Sequence, residues 1–449
     1  MLPLPGSPSA SWAMYRTRLA AVFRGADPRV CLAFWLFGLI NNVLYVIILS
    51  AALDLVGPTV PKGVVLLCDV IPSFFMKLCA PYFIHIIPYP LRIILMSILS
   101  AVGMLLIALT PAYTDGGTIA TKMAGVVLAS SSSGIGELSF LALTHYYGKF
   151  SLASWGSGTG GAGLIGAGAY ALATTSIGLS SKDTLFASAF LPIVMLTSFF
   201  VILPLGPLKR RAARNDTRRP ATNEDETSPH TDTEDREAEE EGLLQAGGSP
   251  NDQKQATRTP HSPTASFLQN LRRSRSLFFP YMLPLLLVYI AEYTINQGVS
   301  PTLLFPLPST PFYHYRAFYP TYNAIYQSGV FISRSSTPFI RIHHLYLPSL
   351  LQCVNLAVLI LQALFDFIPS VWIVFAIIFW EGLLGGAVYV NTFAEISDKV
   401  RQEEREFSLG AVTVSDSAGI CVAGFVGMVL EVGLCGWQVR RGKDWCNQI

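Results

Sequence analysis

The sequence predicts an all-α membrane protein built from two pseudo-repeated helical bundles, six transmembrane helices followed by five or six. Three observations predict it. Only 13% of the 449 residues are charged against 51% hydrophobic, with a mean hydropathy of +0.45, whereas a soluble domain keeps about a quarter of its residues charged to wet its surface. Apolar windows of the roughly 20 residues that a helix needs to cross a bilayer recur along the chain. Short polar motifs also recur in the same order in the two halves, which marks an internal repeat.

The windows fall near 30–53, 63–84, 93–113, 123–144, 160–181 and 184–208, then near 277–300, 317–333, 345–365, 371–394 and 408–434. The 317–333 window has the weakest apolar signal. Between the two sets, Lys209 to Arg275 carries 12 Lys/Arg and 12 Asp/Glu among Ser, Thr, Pro and Gln. Such a stretch buries too little apolar surface to offset its ordering entropy and is expected to be disordered. The chain therefore divides into an N-terminal tail (1–29), a first bundle (30–208), a polar linker (209–275), a second bundle (276–436) and a C-terminal tail (437–449).

Orientation follows from Lys and Arg close to span ends. Arg16, Arg18 and Arg24 precede the first window, Lys209, Arg210, Arg211 and Arg214 follow the sixth, and Arg272, Arg273 and Arg275 precede the seventh. Six crossings return the chain to its starting side, so the Pro/Ser-rich tail and the linker are both expected in the cytosol. Lys399, Arg401 and Arg405 agree with that. Arg440, Arg441 and Lys443 do not, because eleven crossings place them on the far side. Either a short span is missed or this end breaks the rule.

The repeat is read from three places. Ile40-Asn41-Asn42 is echoed by Ile295-Asn296-Gln297. Phe75 to Pro81 is echoed by Ile332 to Pro338, with Lys77 matched by Arg334 and proline by proline. Ser157, Gly161 and Gly166 are echoed by Ser415, Gly419 and Gly424. The offsets run from 255 (Asn41 to Asn296) to 258 (Ser157 to Ser415). Two parallel halves joined by a cytosolic linker resemble the plan of the major facilitator superfamily, a likeness of topology alone.

An ionisable side chain near the bilayer centre costs about 2.5–3.5 kcal/mol on insertion scales, so it needs a partner, a wet cavity or a task. Six qualify here: Asp69, Lys77, Glu137, Glu292, Glu381 and Asp416. Asp69, Ser73 and Lys77 share one helix face, which a wet face or an internal ion pair explains. Glu292 and Glu137 stand away from window ends among small or polar neighbours. Desolvation favours the neutral form of a carboxylate, which lets it bind and release a proton, the chemistry of a proton-coupled carrier. Asn41 and Asn42 can bond a neutral or zwitterionic solute or another helix.

Other signals are negative or short. No basic run interleaves with aromatics, so nucleic acid is not an expected partner. The seven cysteines show no CxxC pair or Cys/His grid, so neither a metal site nor a disulfide framework is indicated. The GxGxxG at Gly161, Gly163 and Gly166 lacks the preceding strand of a dinucleotide site and reads as close helix packing, as do Gly382, Gly385 and Gly386. No catalytic constellation and no cofactor site is visible. In the linker, Glu239 followed by Leu243 and Leu244 resembles an acidic dileucine sorting signal, a site for sorting adaptors. The sequon at Asn215 lies on the same side and is expected to stay unmodified. Cys446-Asn447-Gln448-Ile449 has the outline of a prenylation box with a polar middle pair.

Several longer blocks carry a family resemblance. Gly38 to Val46, Ser132 to Glu137, Trp155 to Gly163, Ala291 to Gly298, Ser333 to Ser336 and Glu381 to Thr392 are similar to the battenin family, across essentially the whole chain apart from the linker. The resemblance implies a lysosomal or, in fungi, vacuolar multi-pass protein with a major-facilitator-like fold. It implies ties to organelle pH homeostasis, basic amino acid balance and clearance of glycerophosphodiesters. The polar linker and tail suggest a fungal member and hence the vacuole. Motif by motif it marks Glu137, Glu292, Arg334, Glu381 and Asp416 as functionally sensitive, and it makes lipidation doubtful at the departing C-terminus.

Two expectations follow. One is an alternating-access transporter for a small polar solute, coupled to protons, in which Glu292 and Glu137 titrate and the Asn41 and Asn296 region lines the cavity. The other is a membrane scaffold that regulates vacuolar pH and trafficking through partner proteins.

Overall fold

The computed structural model describes residues 16–17, 20–51, 55, 62–111, 115–209 and 272–448. Nearly all of the polar linker, with Glu239, Leu243, Leu244 and Asn215, lies outside the described residues. The chain runs through α1 (Pro28–Ser50), α2 (Lys62–Cys79), α3 (Tyr89–Leu109), α4 (Gly116–Tyr147), α5 (Lys149–Ala171) and α6 (Ser181–Ile202). After the linker come α7 (Arg272–Thr302), α8 (Phe318–Ser335), α9 (Tyr346–Phe365), α10 (Val371–Lys399), α11 (Gln402–Val412) and α12 (Val414–Arg440).

Local chemistry sets the ends. Asp27 caps α1 by accepting from Arg29 N, with Pro28 at the first helical position where its missing N–H costs nothing. Asp366 ends α9 in the left-handed region at φ 52°. Among the described residues nine stretches are long and apolar enough to cross a bilayer, with α11 and α12 counted together. Helices α5 and α8 are not among them. The first is mostly Gly, Ala and Ser, and the second carries tyrosines, Gln327 and Arg334 on an amphipathic surface. Neighbouring helices enclose much of both, so their hydropathy understates their depth.

The internal repeat is visible in the packing. Backbones approach most closely where a side chain is missing, the usual device between membrane helices. A Cβ on Gly158 of α5 would strike the Trp35 carbonyl of α1, and one on Gly419 of α12 would meet Tyr289 of α7 at 2.6 Å. Gly134 of α4 lies against Ser73 of α2, and Gly382 of α10 lies against the Tyr326 carbonyl of α8. Thus α1/α5 corresponds to α7/α12, and α2/α4 to α8/α10. Among the described residues α6 has no counterpart, so the halves hold six and five crossings. Apolar side chains such as Ile71, Phe75, Leu91, Ile98, Leu350, Val429 and Val432 remain exposed on the outward faces. A protein in water would not leave such a belt bare, and lipid is the solvent that suits it.

The helix ends define two faces. On one, α6 ends and α7 begins. Tyr147 donates to Pro204 O (2.8 Å), Arg273 meets Glu404 (3.4 Å), and Glu406 of α11 accepts from Tyr89 (2.7 Å) and Tyr146 (2.6 Å). On the opposite face Tyr170 donates to Ser181 (2.9 Å), and Gln438 donates to Thr302 O (3.0 Å) and Ala363 O (2.8 Å). Residues 441–446 follow on this second face. Here the cysteine reading needs correcting. Cys435 and Cys446 form a disulfide, which a spacing of eleven residues without a CxxC pattern did not announce.

Candidate functional site

Ser73 and Lys77 reach the middle of the molecule because α2 and α4 are locked together. Pro72 interrupts the helical bonding of α2. Next to it, Ser130 Oγ of α4 inserts into the ladder, accepting from Ser73 N (3.1 Å) and donating to Asp69 O. With Gly134 against Ser73, the helices come close enough for Lys77 Nζ to donate to Glu137 Oε2 at 2.5 Å. The same ammonium donates to Asp416 Oδ1 at 3.0 Å, at the start of α12 in the other half. All three side chains are buried.

The repeat partner of Lys77 behaves differently. Arg334 of α8 donates to Thr159 Oγ1 (2.9 Å) in the first half and to Tyr289 OH (3.1 Å) in its own. Its guanidinium lies 4.2 Å from the Tyr389 ring centroid, a cation–π stack. Arg334 Nε has no hydrogen-bond partner, and among the described residues no carboxylate forms an ion pair with it. Tyr389 ties the groups together, donating to Glu137 Oε1 (2.6 Å) and accepting from Trp155 Nε1 (3.2 Å).

These groups surround a hollow of about 110 Å³ between the halves, room for several waters. Its charged lining is Asp69, Lys77, Glu137, Arg334 and Asp416, and Asn42, Thr159, Gln327, four serines (Ser73, Ser130, Ser133, Ser417) and five tyrosines (Tyr45, Tyr289, Tyr293, Tyr326, Tyr389) share the wall with smaller apolar residues. Two cations against three acids leave one negative charge in excess when all are ionised.

Other residues singled out in the sequence stand elsewhere. Asn41 donates to Ser133 O (3.2 Å) and binds α1 to α4, facing a separate void of about 10 Å³ that Asp69 and Tyr45 also border. Asn42 lines the hollow while donating to Gly38 O (3.0 Å). Glu292 lies one side chain back from the hollow, accepting from Tyr326 through Oε1 with Oε2 unpartnered. Asn296, set on a π turn at Ile295–Val299, donates to Glu292 O (3.1 Å) and to Glu381 Oε1 (3.2 Å). Glu381 is fully buried and its Oε2 also lacks a partner. Of the Asn41 and Asn296 region, Asn42, Tyr45 and Tyr293 line the central cavity, while the Asn41 and Asn296 amides themselves are spent on helix contacts behind it.

The tyrosines and Thr159 were not singled out. Their signal was present, since Tyr289 and Tyr293 flank Glu292 four residues apart and an aromatic hydroxyl at membrane depth needs a polar partner. Among the described residues no group of three or more His, Cys, Asp or Glu is placed to hold a metal ion. Gly163 packs on Gln327 and Gly166 on Val46, so the glycine run is helix contact and not a phosphate cradle.

Two bundles of membrane helices enclosing a charged central hollow define a multi-pass membrane protein of major-facilitator-like fold. Solved structures agree on the fold. The human organic anion transporter MFSD10 gives a TM-score of 0.54 at 14% identity, covering 94% of this chain and 96% of its own. A bacterial homologue of the iron transporter ferroportin in an outward-facing state gives 0.50 at 14% identity, covering 92% and 99%. The chain belongs to the CLN3 protein (battenin) family, whose model matches residues 32–437. It is 67% identical to Protein btn1 of Aspergillus fumigatus, covering 100% of this chain and 97% of that one. It is 48% identical to Protein BTN1 of Yarrowia lipolytica, covering 92% and 97%.

Proposed function

We propose that this protein is an alternating-access carrier of the vacuolar membrane that moves a small polar solute through the central hollow, with proton movement coupled to the stroke. The observation that carries the reading is the charge arrangement of the hollow. Lys77 is shared by an acid of its own half and an acid of the other, while Arg334, its repeat partner, has no acid of its own. A half-buried cation held, among the described residues, only by hydroxyls and a ring suits an anionic or zwitterionic solute group, and guanidinium is the side chain best shaped for it. The tyrosine walls supply hydroxyl partners and apolar surface for the remainder.

Separating the halves would break Lys77–Asp416 and keep Lys77–Glu137. Asp416 would then stand without its cation in a low-dielectric site, a charge that an arriving proton or cationic solute group offsets. Glu292 and Glu381, one layer back with Asn296, are the second acidic station. Basic amino acids and glycerophosphodiesters are the solute classes to test first, since each carries an acidic group for Arg334, and their movement would link the protein to vacuolar pH. Outside the described residues, Glu239, Leu243 and Leu244 would direct the chain to the vacuole through sorting adaptors.

The test is uptake by proteoliposomes holding the purified full-length protein, with and without a pH gradient. Gradient-dependent uptake of one class is expected, lost in Arg334→Met and reduced in Glu292→Gln. No uptake of any class, with vacuolar pH in cells lacking the protein restored by a variant blocked at Arg334, would favour the scaffold reading instead.

A further inference from the structure

The C-terminal segment accounts for two of the three cations in the orientation conflict of the sequence, Arg441 and Lys443. After α12, Arg441 Nη1 donates to Leu364 O (2.7 Å) and Lys443 pairs with Asp366, both at the carbonyl end of α9. Cations are stabilised at that end of a helix by its dipole. Arg441 and Lys443 are thus held by local partners, so they need not obey the rule for loop charges. Trp445 stacks on Tyr315 with centroids 5.8 Å apart, and Gly442 makes the turn at φ 83°. Cys446 is bonded back to Cys435. These partners, Leu364, Asp366, Tyr315 and Cys435, belong to the face opposite the one where α6 ends and α7 begins, one crossing of α12 away from α11.

We propose that residues 441–446 form a disulfide-stapled cap on the organelle-lumen face, and that Cys446 is a structural disulfide partner closed to lipid attachment. The side assigned rests on the reading that the linker is cytosolic. Thiol pairs stay reduced in the cytosol and oxidise in the secretory and lumenal compartments, so a persistent bond belongs on the far side. In the step, the two thiols give up two protons and two electrons to an exchangeable disulfide donor of the secretory compartment, which becomes a dithiol, and one S–S bond forms. Prenylation forms a thioether on the Cys446 sulfur, and the disulfide leaves no thiol for it.

The experiment uses the full-length protein in sealed native vesicles, with Cys31, Cys68, Cys79, Cys353 and Cys421 replaced by Ser. An epitope in the linker, cut by added protease, shows that the linker side faces out. After denaturation, a maleimide–polyethylene glycol should add nothing before reduction and two mass steps after it. In Cys435→Ser the released Cys446 thiol should react with a membrane-impermeant maleimide only once the vesicles are opened, with at least a tenfold gain in labelling. Two reactive thiols without reduction, labelling in sealed vesicles, or a lipid mass on the C-terminal peptide each overturns the proposal. None of these readouts involves solute flux, so the result stands apart from the transport assay.

Discussion

Lys77 is the side chain on which the most electrostatic consequence rests. Removing one partner of a buried ion pair leaves an uncompensated charge and costs about 3–5 kcal/mol, whereas removing all partners together is close to neutral. Lys77→Met, leaving Glu137 and Asp416 facing each other, is therefore expected to lower thermal stability sharply in detergent–lipid micelles. The triple variant Lys77→Met/Glu137→Gln/Asp416→Asn should recover most of it without recovering uptake. A triple variant no more stable than the single would show that the cluster is not held by charge. Gly385 gives a steric counterpart, because a Cβ there collides with the Glu292 carboxyl group. Gly385→Ala should cost about 1–3 kcal/mol, as overpacking does, and Glu292→Ala in the same chain should return part of that stability in a melting assay. The six ionisable residues were legible because charge is rare at membrane depth. Which acid meets which cation was not, since Lys77 and Asp416 are 339 positions apart.

At the scale of elements, hydropathy located the spans that face lipid and missed what the interior asks of a helix. Window 317–333 is weak because α8 places Tyr326 and Gln327 toward the hollow, with Arg334 just past the window's end. Helix α11 had no apolar signal of its own at its charged start, where Glu403, Glu404 and Arg405 read as a connecting loop. Yet Glu406 pulls this helix onto the ends of α3 and α4 through two tyrosine hydroxyls at 2.7 and 2.6 Å. Hydrogen bonds to a charged acceptor contribute about 1.5–3 kcal/mol each. Tyr89→Phe/Tyr146→Phe should loosen α11 from the first half while leaving its other contacts. The expected readout is faster labelling of Ser417→Cys, on the hollow's wall, by a thiol reagent added from the linker side. Unchanged labelling would mean that α11 does not guard that entrance.

For the whole molecule, the question is whether the two halves move against each other. Their seam near the face where α6 ends and α7 begins mixes apolar contacts, such as Gly156 on Val390 and Phe23 on Phe339, with a run of polar ones. Lys77–Asp416, Arg334–Thr159, Trp155–Tyr389 and Tyr389–Glu137 all cross it, and so does the contact of Ser157 Oγ with Ser335 Oγ at 2.9 Å. Hydrogen bonds and one shared cation can exchange partners during a stroke, which a dry interlocked seam resists. Ser157 and Ser335 face each other closely enough for a disulfide to replace the hydroxyl contact. In a chain that keeps Cys435 and Cys446 as its only other cysteines, Ser157→Cys/Ser335→Cys is expected to cross-link on mild oxidation. Uptake into proteoliposomes should then fall at least tenfold and return on reduction, while the single variants and the parent chain stay unaffected by either reagent. A cross-linked protein that transports at the parent rate would show that the halves need not part at this seam, and alternating access through the central hollow would be abandoned.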